Sequence, residues 1–99
     1  MTNKISYNFE AELWKSDGVS AWHFVTLPID ISQEIRNYFQ WQEEGWGRMR
    51  AMAFINEVNW ETAIWFDSKQ SSYLLPIKAS IRHLMGLTVG DKIAVRIHI

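Results

Sequence analysis

The chain has 99 residues, a formal net charge of −1 at pH 7 and no cysteine. Its hydrophobic fraction of 47% and charged fraction of 21% are those of an ordinary folded protein, so we expect one domain over residues 1–99. The lack of cysteine excludes thiolate catalysis, cysteine zinc sites and disulfides. The near-neutral charge disfavours a protein that binds nucleic acid through non-specific phosphate attraction.

Two further absences concern the cellular location. No apolar run approaches the ~20 residues that a membrane-spanning helix needs, so we expect no membrane contact. Residues 1–4 contain no apolar core of a signal peptide, and together with the lack of cysteine this predicts a cytoplasmic protein.

The first part of the chain predicts two strands and a helix. Apolar and polar side chains alternate over residues 5–14, which indicates a strand with one buried face. Residues 22–27 predict a second strand, and the turn residues Ser16-Asp17-Gly18 favour an antiparallel hairpin between the two. Asp30 predicts the cap of a helix whose apolar stripe recurs at every fourth residue: Ile31, Ile35 and Phe39.

The second part predicts four more strands and a second helix. An exposed acidic corner at 40–47 precedes strands at 48–56 and 60–66, which are joined by a turn at Glu57-Val58-Asn59. A short strand at 73–75 ends at Pro76, and a helix at 77–85 directs Ile77, Ile81 and Leu84 inward and ends at Gly86. A last strand covers 92–99. The predicted fold is mainly β: a small six-stranded barrel or pseudobarrel capped by two short helices, in the order ββαβββαβ.

Short motifs from Phe9 to Ile99 form a series that covers nearly the whole chain. They are Phe9-Glu10-Ala11, Trp22-His23-Phe24-Val25, Leu27-Pro28, Ile35-Arg36, Trp60, Tyr73-Leu74-Leu75-Pro76-Ile77-Lys78, Ile81-Arg82, Gly86-Leu87 and Gly90-Asp91. As a set they resemble a bacterial family known only as a domain of unknown function. The resemblance implies a small β-barrel, in some members fused to a bacteriocin-protection (YdeI/OmpD-associated) segment. It assigns no activity, and a similarity of fold does not carry function.

Six tryptophans are many for a chain of this length. Large aromatic side chains dominate cores by area, so we expect most of these to fill the core and caps. The functional alternative is an aromatic cleft for a flat ligand, a sugar or a peptide, with Trp22, Trp60 and Trp65 of the predicted strands as candidates.

Arg48 and Arg50 lie two residues apart on one predicted strand, so they share a face and are separated by roughly 6.6 Å. Two guanidinium groups directed the same way could hold a carboxylate or phosphate, and a further arginine could join them. The candidates for that third group are Arg36, Arg82 and Arg96. We favour the simpler interpretation, a solvated face whose arginines pair across the sheet with Glu10, Glu12 or Glu61.

The three histidines, His23, His83 and His98, lie far apart in sequence and predict no metal site. His23 stands between two aromatic residues of a strand, where a hydrogen-bonded structural histidine is the favoured interpretation. No nucleotide, dinucleotide or hydrolase motif is found, so no cofactor is expected and the sequence favours a protein that is not an enzyme.

The leading hypothesis is a non-enzymatic binding or interaction module. Its site would be a tryptophan-lined groove for a small anionic or aromatic ligand or for a protein segment, built from Trp22, His23, Arg48, Arg50, Trp60 and Trp65. One alternative is an enzyme whose acid–base pair, His23 with Asp67 or Glu61, assembles in the fold. Another is a DNA-binding dimer of similar barrel architecture. Unpaired strand edges also make a homodimer an alternative to a monomer.

Overall fold

The computed structural model describes residues 5–18 and 21–99. Its helices and strands follow the order β1 (Ser6–Glu12), β2 (Trp14–Lys15), β3 (His23–Thr26), α1 (Ile29–Phe39), β4 (Arg48–Ile55), β5 (Val58–Asp67), β6 (Ser72–Pro76), α2 (Ala79–Met85) and β7 (Lys92–His98). Two 3₁₀ turns, Gln40–Gln42 and Gly45–Gly47, occupy the predicted acidic corner. Residues 1–4, which underlie the expectation that there is no signal peptide, lie outside the described residues. No helix in the described ranges is both long and apolar enough to cross a bilayer.

The seven strands of the described residues belong to one antiparallel sheet with the order β1-β7-β4-β5-β6-β3-β2. β1 and β2 lie at opposite ends of this order, although only Leu13 separates them in the chain. The sheet must therefore curl until its two ends approach each other, which gives a half-barrel. The predicted mainly β fold with two helices is confirmed, whereas the predicted count of six strands is wrong.

The extra strand arises because the predicted first strand is divided at Leu13. The Leu13 N–H donates to the Asp91 carbonyl at 2.9 Å, and the Leu13 carbonyl accepts from the Gly90 N–H at 2.8 Å. Before this point β1 pairs with β7 along its whole length. After it, β2 pairs with β3 through Trp14↔Phe24 and Lys15↔His23. The predicted hairpin is thus limited to the two residues of β2.

The core lies inside the curled sheet and is closed by α1. The buried residues of β1, β4 and β7 alternate along each strand and are Tyr7, Phe9, Met49, Ala51, Ala53, Ile55, Ile93, Val95 and Ile97. Ile5, which the predicted first strand included, is exposed and precedes β1. On α1, Ile35 is buried, and Ile31 and Phe39 pack against the core as the stripe predicts. Leu84 was expected to point inward but is exposed, because the inward face of α2 runs through Ile81 and Met85, four residues apart.

The ends of several elements differ from prediction; α2, for example, begins at Ala79 instead of 77, so Ile77 is buried but precedes the helix. α1 begins at Ile29 after Pro28, so Asp30 is the second helical residue instead of the cap, and its carboxylate accepts from the Ile31 N–H at 2.9 Å. The β4–β5 turn consists of Asn56 and Glu57, with Asn56 at a φ of 53°, a conformation that asparagine adopts more readily than most residues. Gly86 ends α2 in the left-handed conformation, as predicted.

Buried polar groups attach α1 to the sheet. Ser32 is fully buried, and its hydroxyl donates to the Leu27 carbonyl at 3.5 Å and accepts from the Tyr73 N–H at 3.0 Å. The Tyr73 hydroxyl donates to the Glu43 carboxylate, which lies 3.7 Å from the Arg36 guanidinium. The pKa of Tyr73 is raised mainly by its burial and, to a smaller extent, by its hydrogen bond to the Glu43 carboxylate.

A second tyrosine connects β1 to the same helix. The Tyr7 hydroxyl donates to the Glu34 carboxylate at 2.9 Å. Two effects raise the pKa of Tyr7 to about 12. The larger is burial of the phenol, and the second is its hydrogen bond to Glu34. Ionisation of this phenol would therefore disrupt a contact between β1 and α1.

Candidate functional site

A cleft opens in the sheet where β5 and β6 separate. The two strands pair only through Asp67↔Ser72, Phe66↔Tyr73 and Trp65↔Leu74, although β5 extends back to Val58. If the same register continued, Ala63 would lie opposite Pro76. Proline has no N–H to donate to a ladder, and the chain turns from there into α2. Pro76 thus gives a local physical reason why the two strands part.

The β5–β6 cleft has a volume of about 440 Å³ and falls within the size range of ligand sites. β5 provides one wall, including Trp60, Glu61 and Ala63. The other wall comes from the end of β6 and the start of α2, including Pro76, Lys78 and Arg82.

The cleft brings together most of the residues that the sequence selected. Of the six candidates, Trp22, His23, Arg48, Trp60 and Trp65 line it. They come from β3 and the residue before it, from β4 and from β5. Arg50 does not line the cleft, and its side chain is 85% exposed. The five residues thus lie together in one cleft, whereas their role in binding stays a prediction.

The tryptophans of the cleft differ in exposure. Trp60 is 8% exposed and belongs to the core, whereas Trp65 is 36% and Trp22 51% exposed. Trp41 and Trp46, in the two 3₁₀ turns, are more exposed still. The expectation that most tryptophans fill the core is therefore wrong, because burial here is set by which face of the sheet or turn a residue occupies.

A second, apolar concavity adjoins the cleft on the outer face of the sheet. This outer aromatic groove, about 410 Å³ in volume, is lined by Ser16, Trp22, Phe24, Trp65 and Leu74. The Trp22 ring is stacked on Phe24, with centroids 6.1 Å apart and planes inclined by 15°. Trp22 and Trp65 line both concavities, so one continuous surface runs from an apolar groove into a cationic cleft.

The two predicted arginines share a partner that the sequence did not indicate. Arg48 Nη1 lies 2.7 Å and Arg50 Nε lies 3.7 Å from the carboxylate of Glu44. The predicted pairing with Glu10, Glu12 or Glu61 across the sheet is wrong, because Glu44 forms an isolated antiparallel bridge with Arg48 just before β4. Glu44 thereby neutralises part of the Arg48 charge in the cleft.

Arg82 is the further arginine that joins the cleft. Its Nε donates to the Ile77 carbonyl at 3.1 Å, and its Nη1 lies 3.5 Å from His23 Nε2. His23 Nδ1 lies 2.9 Å from the Ala21 carbonyl, which can only accept, so Nδ1 carries the hydrogen and Nε2 accepts from Arg82. These contacts fix the direction of the guanidinium, and within residues 5–18 and 21–99 no hydrogen bond engages Nη2.

Lys78 is a cleft residue that the sequence analysis did not select as a candidate. It precedes α2 by one residue and stands four residues before Arg82, so the two cations lie on the same side of the helix start. The i,i+4 spacing of Lys78 and Arg82 was the one signal in the sequence that could have identified Lys78 as a neighbour of Arg82. It was not decisive, because i,i+4 cations also occur on helix faces that bind nothing.

The cleft contains a carboxylate, as the acid–base hypothesis requires, but among the described residues that carboxylate forms no hydrogen-bonded pair with His23. Glu61 lines the same cleft as His23. Asp67 instead accepts hydrogen bonds from the Lys69 N–H at 3.1 Å and from Gln70 Nε2 at 2.9 Å, in the turn after β5. Within residues 5–18 and 21–99, no hydrogen bond joins His23 to either carboxylate.

Comparison with known proteins places the chain in a family. No curated protein matches it. One family model, described as a domain of unknown function (DUF1905), matches residues 9–97. The match confirms the resemblance to a family of unknown function. That the family is bacterial, and that some members are fused to a bacteriocin-protection segment, stay predictions. The chain, with its curled β sheet and two helices, belongs to the DUF1905 family.

Proposed function

We propose that this domain is a non-enzymatic binding module whose β5–β6 cleft takes a ligand that combines an anionic group with a flat aromatic or apolar part. The observation that carries the proposal is the joint lining of one cleft by exposed tryptophans and by an excess of cations. Arg48, Lys78 and Arg82 line it with one acidic residue, Glu61, in a chain whose overall charge is −1.

Arg82 is the best placed cation to hold the anion. Arg48 already has a carboxylate of Glu44 at 2.7 Å, whereas Arg82 is oriented by the Ile77 carbonyl and the His23 ring, neither of which is a carboxylate. A guanidinium held in one direction loses less conformational freedom when it binds a carboxylate or phosphate. We therefore expect Arg82 to contribute more to anion affinity than Arg48.

Trp22 and Trp65 supply the apolar part of the site. Both are partly exposed, and both lie at the border between the cleft and the outer aromatic groove. An indole presents a large apolar face with little conformational freedom, so a planar ligand can stack on it. A ligand anchored at Arg82 could extend its apolar part along this border.

Titration with matched small molecules tests the proposal. We expect 1-naphthoate to change tryptophan fluorescence and to raise the melting temperature, because a ligand at ten times its Kd stabilises the folded state by about 1.4 kcal/mol. Uncharged 1-naphthamide should bind more weakly. Arg82→Ala should weaken naphthoate binding by about tenfold, since a hydrogen bond to a charged group contributes about 1.5 kcal/mol or more.

Arg50→Ala is the matched control, because Arg50 is an exposed arginine of the same sheet that does not line the cleft. This variant should bind naphthoate like the original chain. Equal affinities for naphthoate and naphthamide, or equal losses in the Arg82 and Arg50 variants, would show that the cleft does not select anions.

A further inference from the structure

The direction of the backbone groups in β6 can be read from two hydrogen bonds of Tyr73. Its carbonyl accepts from the Leu27 N–H at 2.9 Å, and its N–H donates to Ser32 Oγ at 3.0 Å. Both groups of Tyr73 therefore point away from β5. Because successive residues of an antiparallel strand direct their backbone groups to opposite sides, those of Leu74 point toward β5, where its partner is Trp65.

The same alternation can be followed along β5. Its register with β4 is unbroken from Arg48↔Trp65 to Ile55↔Val58, so no bulge shifts the alternation. Trp65 directs its N–H and carbonyl toward β6, and so Ala63 and Glu61 direct theirs to the same side. In the described part of the chain the β5–β6 register ends at Trp65, and both residues line the cleft. Glu61 is exposed and Ala63 is 5% exposed, so the cleft contains a strand edge without a β6 partner that is open to solvent at Glu61 and nearly covered at Ala63.

We infer that this edge takes an extended acidic peptide segment, which adds to the sheet as a strand by pairing with Glu61 and Ala63. The inference rests on the proposed function, because it names the ligand of the same cleft. An exposed strand edge is a template for a further strand. The two backbone positions are roughly 6.6 Å apart, the repeat at which a paired strand presents every second residue.

Charge favours an acidic segment as the occupant. Arg48, Lys78 and Arg82 surround the edge, and Glu61 is the one carboxylate among the described lining residues. In a bound strand, residues two apart project to the same side, so acidic residues at alternate positions can face these cations. A second copy of this chain would instead bring its own three cations to the same place, which like-charge repulsion disfavours.

Peptides with selectively methylated backbones test the inference. The probe is a fluorescein-labelled peptide of sequence Glu-Val-Glu-Phe-Glu, and two counterparts carry N-methyl groups on its odd or on its even residues. Only one edge of a bound strand can face β5, so methylation of one set should weaken binding at least tenfold in fluorescence anisotropy, and methylation of the other set should weaken it much less. A counterpart with Gln in place of Glu should also bind more weakly.

Amide hydrogen exchange observes the edge itself. We expect the amide of the exposed Glu61 to exchange fast in the free protein and at least tenfold more slowly with the peptide at saturation. Arg82→Ala should weaken peptide binding, and Arg50→Ala should not. If both methylated peptides bind alike, or if the Glu61 amide is protected without peptide, the inference is wrong.

Two further outcomes separate the inference from the proposal on which it rests. If naphthoate binds selectively and the peptide does not bind, the anion site stands and strand addition is overturned. If protection of the Glu61 amide rises with protein concentration together with a dimer in light scattering, a second copy occupies the edge, and the peptide inference is again wrong.

Discussion

Replacing Ser32 with alanine should destabilise the domain through a single backbone group. The Ser32 side chain is fully buried, and its hydroxyl accepts the hydrogen bond from the Tyr73 N–H at 3.0 Å. Ser32→Ala leaves that buried N–H without its acceptor, a loss of about 1–3 kcal/mol. Alanine is the better helix former by a few tenths of a kcal/mol, which offsets a small part of the loss. We expect a net decrease in the free energy of unfolding of about 1–2.5 kcal/mol.

Urea denaturation followed by far-ultraviolet circular dichroism measures this decrease. In a domain of this size each kcal/mol corresponds to a shift in melting temperature of about 4–8 °C. The control is Ser80→Ala, an exposed position near the start of α2, where the change should stay within about 0.5 kcal/mol. Hydrogen exchange adds a local measurement, since the Tyr73 amide should lose protection in the Ser32 variant.

The reasoning fails if the Ser32 variant is as stable as the Ser80 variant, or if the Tyr73 amide keeps its protection. Either result would mean that the Tyr73 N–H has another acceptor, and that the hydroxyl fills space without stabilising the contact between α1 and β6.

Three further predictions concern pH and the cleft. Tyr7 has a pKa of about 12 in the folded chain and an ordinary value of 10.0, so its neutral form stabilises the fold fully below pH 10 and loses that contribution as the pH rises toward 12. At pH 11 the loss is about 1.4 kcal/mol, and Tyr7→Phe should flatten the alkaline part of a stability–pH curve measured by urea denaturation. Glu61→Gln removes the carboxylate from the cleft lining and should strengthen naphthoate binding severalfold in fluorescence titration; weaker binding would contradict an anion site there. Trp60→Ala should destabilise the core by about 3–5 kcal/mol in denaturation, whereas Trp65→Ala should mainly weaken binding and leave the fold nearly as stable.

The predictable parts of the fold are those governed by neighbours in sequence. Alternation in β4 and β7 identifies their buried faces because each pattern repeats every second residue. Pro76 and Gly86 mark the ends of β6 and α2 because their backbones restrict or permit particular conformations. These signals need no knowledge of the partner strand.

The unpredicted parts depend on contacts between distant residues. Leu13 divides the first strand because its backbone forms hydrogen bonds with Gly90 and Asp91. No residue near Leu13 in the sequence indicates those partners. The pairing of Arg48 with Glu44 depends likewise on an isolated bridge before β4.

For the candidate site, residue chemistry could be predicted but position could not. An aromatic or cationic residue type suggests what a ligand would need, which is why Trp22, His23 and Arg48 could be selected from sequence. Whether Arg50 or Arg82 accompanies them depends on where β6 and α2 leave the sheet. Pro76 marks where β6 ends, but which strand lies beside it, and so which residues line the cleft, is set by tertiary pairing.

The position of β1 has a consequence for folding kinetics. Its residues pair with β7 across roughly 80 to 90 residues of chain, among the largest sequence separations in the domain, and such pairings are slow to form. The hairpin of β4 and β5, joined by two residues, can assemble early. During synthesis β1 must wait until β7 has been made, and in that interval its apolar face, with Tyr7 and Phe9, stays open to chaperones and to misassociation.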